Sequence, residues 1–505
     1  ISQSYSNWEL CLADDCSSDL HVGKILREYE LSDTRIKVVF RDSNGHISRA
    51  TNSAMELATG HFYCLLDNDD ILASNALSVF ASELELEPTI DMIYSNEDKL
   101  SIEGVRYEPF FKPDWSPEYL ESAMYTAHFA CYRKTIVDEM GWFDPTCNGA
   151  QDYDFVLRFT EKTNRIKHVP QILYHWRAIP GSTADAISGK DYVLDAAVRA
   201  LEGRLRRTNR VGAVKVGSAP GCFDVRWELD EKPLVSIVIP SAGHFREVNG
   251  KKIDLLATCL EGIVKRSTYS NYELIVVHNG DLDDKTKSSL SGIDITFVEY
   301  LAPEFNIAEK LNMGAASANG EFLLLLNDDI DLISADWIEA MLEQGTKEGV
   351  GVVGPKLLYP NETIQHVGVA FSSGLPDHIH KNFPKDYSGY FFSSSSCRNY
   401  LAVTGACMLV RKKLFFEVDG YSDILRINYN DIDFCLKIFS LGYRIVYTPH
   451  AELFHYESMS REAIVDEREM EVFLQRWNHL VKKDPYYDSD IFDAKPPNFL
   501  LRSDF

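Results

Sequence analysis

Leu66-Asp67-Asn68-Asp69-Asp70 and Leu326-Asn327-Asp328-Asp329-Ile330 are one motif written twice in a single chain. Each closes an apolar run, 62–66 or 322–326, of the length expected for a buried strand. Ligands of open α/β sheets bind beyond the carboxyl ends of the strands, so carboxylates placed there are set for chemistry. The neighbouring segments repeat in the same order. Tyr5-Ser6-Asn7-Trp8-Glu9-Leu10 returns as Tyr269-Ser270-Asn271-Tyr272-Glu273-Leu274, and Gly141-Trp142-Phe143-Asp144 as Gly420-Tyr421-Ser422-Asp423. Gln151-Asp152-Tyr153-Asp154-Phe155 returns as Asn430-Asp431-Ile432-Asp433-Phe434. The offset stays at roughly 260–280 residues, a domain-sized step rather than the short period of a solenoid.

Composition narrows the classes. The 505 residues, 45% hydrophobic and 25% charged, are ordinary for globular protein, and each half is long enough to bury a full core. A net charge of −25 disfavours a nucleic-acid partner, although the few phosphates of a nucleotide can be neutralised locally. Ten cysteines without a CxxC pair argue against a zinc site and favour a reduced, cytosolic setting. No apolar run approaches the length of a membrane span.

Strand-sized apolar runs alternate with amphipathic stretches, which predicts an α/β fold built on mostly parallel sheets. In the first half, strands are expected at 8–13, 36–40 and 62–66, with helices at 19–29, 48–58, 76–85 and 191–207. In the second, strands are expected at 236–239, 273–277, 296–299 and 322–326, with helices at 308–318, 336–344 and 467–483. The run Leu234-Val235-Ser236-Ile237-Val238-Ile239-Pro240 has no counterpart before Tyr5, so the first domain is expected to lack its first strand and helix. The expected domains are 1–207 and 233–483, joined by a linker at 208–232 and followed by a loosely ordered tail at 484–505. Residues 363–396, rich in Gly, Ser and aromatics, are expected to form a long functional loop or a small sheet.

The acidic strand ends can share a divalent cation that keeps water and phosphate oxygens among its ligands. Asp and Asn are also common turn formers, but recurrence at the matching place in both halves favours a site. His175 and His455, each set among aromatics late in its half, are candidate further ligands beside Asp69 and Asp329. Asp14 and Asp15, in the turn after a strand, could bind a base or ribose; Asp19 there would serve equally as a helix cap. The second half offers Asn279 at that place. Arg177 and Arg461 could pair with diphosphate oxygens. Asp152 and Asp431 each open a helix, where the dipole favours an acid. The amide residue before each and the aromatic three residues later also suit a general base. Leu474-Gln475-Arg476-Trp477 is expected to be ordinary helix surface and core.

Together these motifs resemble glycosyltransferase family 2, the inverting nucleotide-sugar enzymes of GT-A fold. The likeness covers nearly the whole chain as two tandem Rossmann-like domains. It rests on Val235–Pro240, on Asp67-Asn68-Asp69 with Asn327-Asp328-Asp329, and on Thr404-Gly405-Ala406-Cys407. It rests also on His455-Tyr456-Glu457-Ser458 with Arg461, and on Tyr174-His175-Trp176-Arg177 with Pro180-Gly181-Ser182-Thr183. The resemblance implies Mn²⁺ or Mg²⁺ held by Asp69 with His175, or by Asp329 with His455. It implies a nucleotide-diphosphate sugar bound through Asp14, Asp15, Asp67, Asn279, Asn327, Asp328, Arg177 and Arg461, with Thr404 and Gly405 on the acceptor side. Asp152 and Asp431 would be the catalytic bases. Bacterial O-antigen or capsule-type synthesis on a saccharide or lipid-linked acceptor is implied, in the cytoplasm or peripherally at the inner membrane. Two rivals stand beside this reading: one catalytic domain with a scaffold or acceptor-binding twin, and a sugar nucleotidylyltransferase. The second would carry a Gly-rich, Lys/Arg-bearing N-terminal loop, which is not visible.

Overall fold

The structure is a computed structural model that describes residues 1–178, 191–243, 245–248, 251–280, 282, 284–302, 304–372, 374–456, 466–488, 491–492 and 500–502. The chain divides into two compact units, Ile1–Ser116 with Leu120–Val225, and Pro117–Tyr119 with Arg226–Asp504.

The second unit is built on one ten-stranded sheet. Its parallel half is Thr296–Glu299, Tyr272–His278, Val235–Pro240 and Phe322–Leu326, side by side in that order. Val235–Pro240 and Phe322–Leu326 are buried along their whole length, which is why they read as continuous apolar runs rather than alternating ones. Beyond them Cys407–Arg411 runs antiparallel, then Val350–Leu358 and Arg444–His455 lie parallel to each other, and Ile330–Leu332 closes the edge antiparallel. The sheet is therefore mixed, with the expected parallel order confined to one half. The helices Leu255–Arg266 and Trp337–Gly345 pack Leu256, Leu260, Trp337 and Met341 against Ile237, Leu324 and Val353 in one core.

The first unit repeats this plan with a difference. Leu10–Asp14 and Ile36–Phe40 pair in parallel as a separate two-stranded sheet. A six-stranded sheet holds Phe62–Cys64, Ala130–Arg133, Met92–Leu100, Ile166–Arg177 and Ile71–Leu72 in that order, with Arg106–Phe110 against Met92–Leu100. Among the described residues no strand bridges the two, as Val235–Pro240 bridges their counterparts in the second unit.

Several repeated motifs are structural clamps. Glu273 accepts from the backbone N–H of Asn319 at 2.5 Å and Gly320 at 3.3 Å, fixing the turn that feeds Phe322–Leu326. Glu9 does the same to Thr59 and Gly60, at 2.5 and 2.7 Å. A Cβ on Gly320 would lie 2.6 Å from the Leu234 carbonyl oxygen, so this turn tolerates no side chain. The Gly-aromatic motif is held likewise: Asn52 brackets the Phe143 backbone at 2.9 and 3.0 Å, and Asn312 brackets Tyr421 at 2.9 Å on both sides. These side chains recur because the same turns must be held twice.

Three expectations need correction. Residues 484–492 are not loose where they are described: Tyr486, Tyr487, Ile491 and Phe492 are buried, and Arg398 donates to the Tyr486 carbonyl at 2.7 Å. The cysteines are not all reduced, since Cys64 and Cys131 face each other on paired strands and form a disulfide. Arg476 and Trp477 are not ordinary surface; both donate to the buried Asp433 carboxylate, at 3.0 and 2.8 Å. Within 363–396 the small-sheet alternative holds, as Val369–Ser372 and Leu375–His378 form an antiparallel hairpin. Among the described residues no helix is long and apolar enough to cross a membrane.

Candidate active site

In the second unit, backbone register assembles the site. Phe322–Leu326 runs into Asn327, whose N–H donates to the Ala406 carbonyl at 2.9 Å and so continues the pairing with Cys407–Arg411. The chain then turns through Asp328 and Asp329 into Ile330–Leu332, where Ile330 lies opposite His455. Tyr456 N–H donates to the Asp329 carbonyl at 3.0 Å, and this rung sets the Asp329 carboxylate 3.1 Å from His455 Nε2. Gln365 fixes the imidazole: its Oε1 lies 2.7 Å from His455 Nδ1, so Nδ1 donates and Nε2 keeps its lone pair. Asn327 Nδ2 is 3.3 Å from that same Nε2.

A carboxylate oxygen and an oriented imidazole nitrogen at this separation fit two ligands of one divalent ion. Among the described residues no group of three or more His, Cys, Asp or Glu is arranged to hold a metal. The fit is therefore to an ion that takes its remaining ligands from water and phosphate, as Mg²⁺ does. Behind His455 lies a pair absent from the sequence reading, buried His366 and half-buried His378, with Nδ1 atoms 2.9 Å apart. Burial first, then the charge of Lys381 and His455, pushes His378 down to about 3, so the pair is neutral.

Asp328 points elsewhere. Ser241, just past Val235–Pro240, donates its hydroxyl to Asp328 Oδ2 at 2.5 Å, and buried Lys310 donates to the Ser241 carbonyl at 2.9 Å. Desolvation pushes Asp328 up to about 6, with adjacent Asp329 adding to the effect and Lys310 opposing it. Asn279 follows Tyr272–His278 at the carboxyl edge of the same parallel strands.

Asp431 opens the helix Asn430–Ser440. Its Oδ2 accepts from Gly405 N–H at 2.7 Å and its Oδ1 from Ile432 N–H at 2.9 Å. The expected acceptor-side residues are thus brought to the expected base, with Thr404 Oγ1 accepting from Ala406 N–H at 3.3 Å. Desolvation raises Asp431 above the usual carboxylate range. The second acid of each pair is spent on structure: Asp433 on Arg476 and Trp477, and Asp154 on Arg158 at 2.8 Å.

The first unit keeps the backbone plan and changes the side chains. Ile71 lies opposite His175, as Ile330 does opposite His455. Here, however, His175 Nδ1 is 2.6 Å from buried Asp98, and no ion pair joins His175 to Asp69 among the described residues. Asp70 accepts from the Tyr174 hydroxyl and from Arg177 N–H, the latter at 2.7 Å. Asp15 is occupied by Arg41 at 2.8 Å and by Gly45 N–H at 2.9 Å, whereas Asp14 accepts from Ser17 N–H at 3.4 Å. Asp152, which reaches solvent, is pushed up to about 6 by desolvation and then by Asp67. Asp67 is itself raised by the surrounding protein and by Asp69.

The residue that moderates both acids is His128, which the sequence reading missed. It attracts Asp67 and Asp152 and is held by buried Glu97, 3.1 Å from its Nδ1. Burial pushes Glu97 up, yet Lys112 and His128 hold it down to about 2. Arg461, Glu457 and Ser458, and the 180–183 segment, lie outside the described residues.

The family model described as "Glycosyl transferase family 2" matches residues 1–141 and 236–416. Uncharacterized protein y4gI of Sinorhizobium fredii is 39% identical over all of this chain and 56% of its own length. O-antigen biosynthesis protein RfbC of Myxococcus xanthus is 34% identical over 92% of this chain and 36% of its own. The chain thus spans about half or less of these curated relatives. A solved structure of GalNAc-T7 with UDP, GalNAc and Mn²⁺ aligns over 51% of each chain at 14% identity and a TM-score of 0.40.

Proposed function

Because the chain belongs to glycosyl transferase family 2, with relatives in bacterial polysaccharide biosynthesis, we propose that it moves a sugar from a nucleotide-diphosphate donor to a glycan acceptor with inversion. The acceptor class is a growing or lipid-linked saccharide of O-antigen or capsule type. The setting is the cytoplasm, with peripheral association at the inner-membrane face. The domains are taken as 1–207 and 233–483.

The observation that carries the reading is the Asp329–His455 pair, 3.1 Å apart and oriented by Gln365. Mn²⁺ or Mg²⁺ bound there supplies positive charge to a leaving diphosphate. The rest falls to the chain's own side chains. Asp328, Asn279 and Asn327 line the carboxyl edge where the nucleotide sugar lies. Asp431, with one oxygen held by Gly405 N–H, takes the proton of the attacking acceptor hydroxyl. Its raised proton affinity suits a base that must accept a proton and later release it. One displacement opposite the leaving group inverts the sugar carbon.

A second reading, with the second unit alone catalytic, is favoured by one contrast: His175 is tied to Asp98 and makes no ion pair with Asp69 among the described residues. Separate Asp152→Asn and Asp431→Asn variants, assayed with UDP-, dTDP- and GDP-sugars and MnCl₂, test both readings. Asp431→Asn is expected to end transfer by the second unit while Mn²⁺-dependent nucleotide stabilisation persists. Undiminished turnover in both variants would refute the assignment of the bases.

A further inference from the structure

The loop that delivers Asp431 is held by the helix Glu467–Val481, and the hold is on its backbone. Between the repeated Gly-aromatic motif and the helix of the acidic pair, both halves carry a loop of equal length, 145–150 and 424–429. In the first unit Asp144 accepts from Thr146 N–H at 2.8 Å, Asn148 accepts from the Ser48 hydroxyl at 2.5 Å, and a positive φ of 100° falls on Gly149. In the second unit the positive φ falls one residue later, on Tyr429 at 60°, immediately before Asn430–Ser440. Glycine adopts such backbone freely. A tyrosine does not, and the strain persists only where surrounding contacts over-determine it.

Those contacts come from one face of the closing helix. Glu469, 4% exposed, accepts through Oε1 from Arg426 N–H at 2.9 Å and Ile427 N–H at 3.2 Å. Its Oε2 accepts from Asn428 N–H at 2.5 Å and Ile427 N–H at 3.3 Å. Phe473, one turn on, is buried and stacks on Tyr429 at 4.9 Å between centroids and 19° between planes. Asp466, which caps the helix, donates its N–H to Asn428 Oδ1 at 3.1 Å. From the other side, Ile307 N–H donates to the Arg426 carbonyl at 3.0 Å and Asn306 Nδ2 to the Asp423 carbonyl at 3.0 Å. One carboxylate therefore grips three successive amides of a loop whose next residue is strained.

The consequence reaches Asp431 through two residues of backbone. The Tyr429 carbonyl starts the helix by accepting from Asp433 N–H at 2.8 Å, and Asp431 Oδ2 meets Gly405 N–H at 2.7 Å. With the three amides released, Tyr429 relaxes toward extended backbone, which turns the peptide planes leading into Asp431 and carries its carboxylate off Gly405. Asp433 stays tied to Arg476 and Trp477, so the movement is confined to the first turn.

We propose that Glu469 is a positioning residue of the second unit, which sets the Asp431 carboxylate by holding Arg426, Ile427 and Asn428 against the strain at Tyr429. It acts through backbone rather than on substrate, and the first unit needs no equivalent because Gly149 takes the positive φ without strain. The proposal rests on the reading of Asp431 as the base.

The test uses the whole chain, with the first unit's acid removed by Asp152→Asn so that turnover reports the second. Hydrogen exchange at Gly405 follows the Asp431 carboxylate directly, and Asp431→Ala marks the rate of the unheld amide. Glu469→Ala is expected to speed Gly405 exchange about tenfold while the Cys407–Arg411 amides exchange as in the parent. Release of nucleoside diphosphate from UDP-, dTDP- and GDP-sugars with MnCl₂ is expected to lose about tenfold or more in kcat, with nucleotide affinity by calorimetry changed by less than about threefold. Glu469→Gln keeps one accepting oxygen and is expected to fall between, about threefold from the parent in both exchange and kcat. It carries the test if the alanine variant does not fold. Unchanged Gly405 exchange, unchanged kcat, or a nucleotide affinity that falls as far as kcat overturns the proposal. If the parent turns over no nucleotide sugar, the enzymatic reading fails by itself, and Gly405 exchange alone decides whether Glu469 sets Asp431.

Discussion

Asp484 offers a measurable test of how the C-terminal segment is held. Its carboxylate is buried, accepts from Tyr486 N–H at 2.9 Å and reaches Phe371 N–H at 3.3 Å, tying the tail to the hairpin that carries His378. Desolvation outweighs those bonds and the nearby Arg398 charge, pushing the group from 3.8 up to about 7. The folded state thus binds this proton more tightly than the unfolded state does. The stability it contributes is complete below about pH 4, declines as pH rises, and is gone above about pH 7. At 1.36 kcal/mol per unit the full swing is at most about 4 kcal/mol, with about 3 kcal/mol of it falling between pH 5 and pH 8. Asp484→Asn keeps one acceptor oxygen, enough for the Tyr486 N–H, and cannot ionise; the bond lost to Phe371 lowers its stability at both pH values alike. Urea unfolding at the two pH values should therefore show a smaller loss for the variant, with the difference confined to the transition of the second unit. The chain's general excess of negative charge acts on both proteins alike and cancels. Identical losses in parent and variant would refute the reasoning.

Three further outcomes are expected. Gln365→Leu removes the acceptor that sets the His455 tautomer and should weaken Mn²⁺ binding about 10–100-fold, read by calorimetry with UDP present. Gly405→Ala places a Cβ 3.0 Å from Asp431 Cβ; displacing that base should cut the second unit's kcat about tenfold or more, with stability changed by less than about 1 kcal/mol. Cys64→Ala with Cys131→Ala opens a crosslink spanning 67 residues and should lower the first unit's stability by about 4 kcal/mol, which reductant should reproduce in the parent and not in the variant.

The parts of the fold legible in sequence were those whose signal is local. Phe322–Leu326 is observed with the bounds expected from apolar patterning, because a fully buried strand needs an unbroken apolar run. Repetition singled out Asp329 and His455, and both copies do set an isoleucine just after the acidic turn opposite the histidine. The rest depended on contacts that no local pattern encodes. Glu97 and His128 are 31 residues apart and meet only because two strands turn toward each other. Gln365 lies on the short strand Ile364–His366, which takes the place Arg106–Phe110 takes in the first unit without sharing its sequence, so duplication could not mark it. Cys64 and Cys131 looked scattered until strand pairing set them face to face.

The two-stranded sheet of the first unit has a practical consequence. Leu10–Asp14 is hydrogen-bonded to one neighbouring strand among the described residues, whereas its counterpart Tyr272–His278 has two. Held by one ladder among the described residues, the Leu10–Asp14 amides should exchange with deuterated solvent before those of Tyr272–His278, which is gripped from both sides.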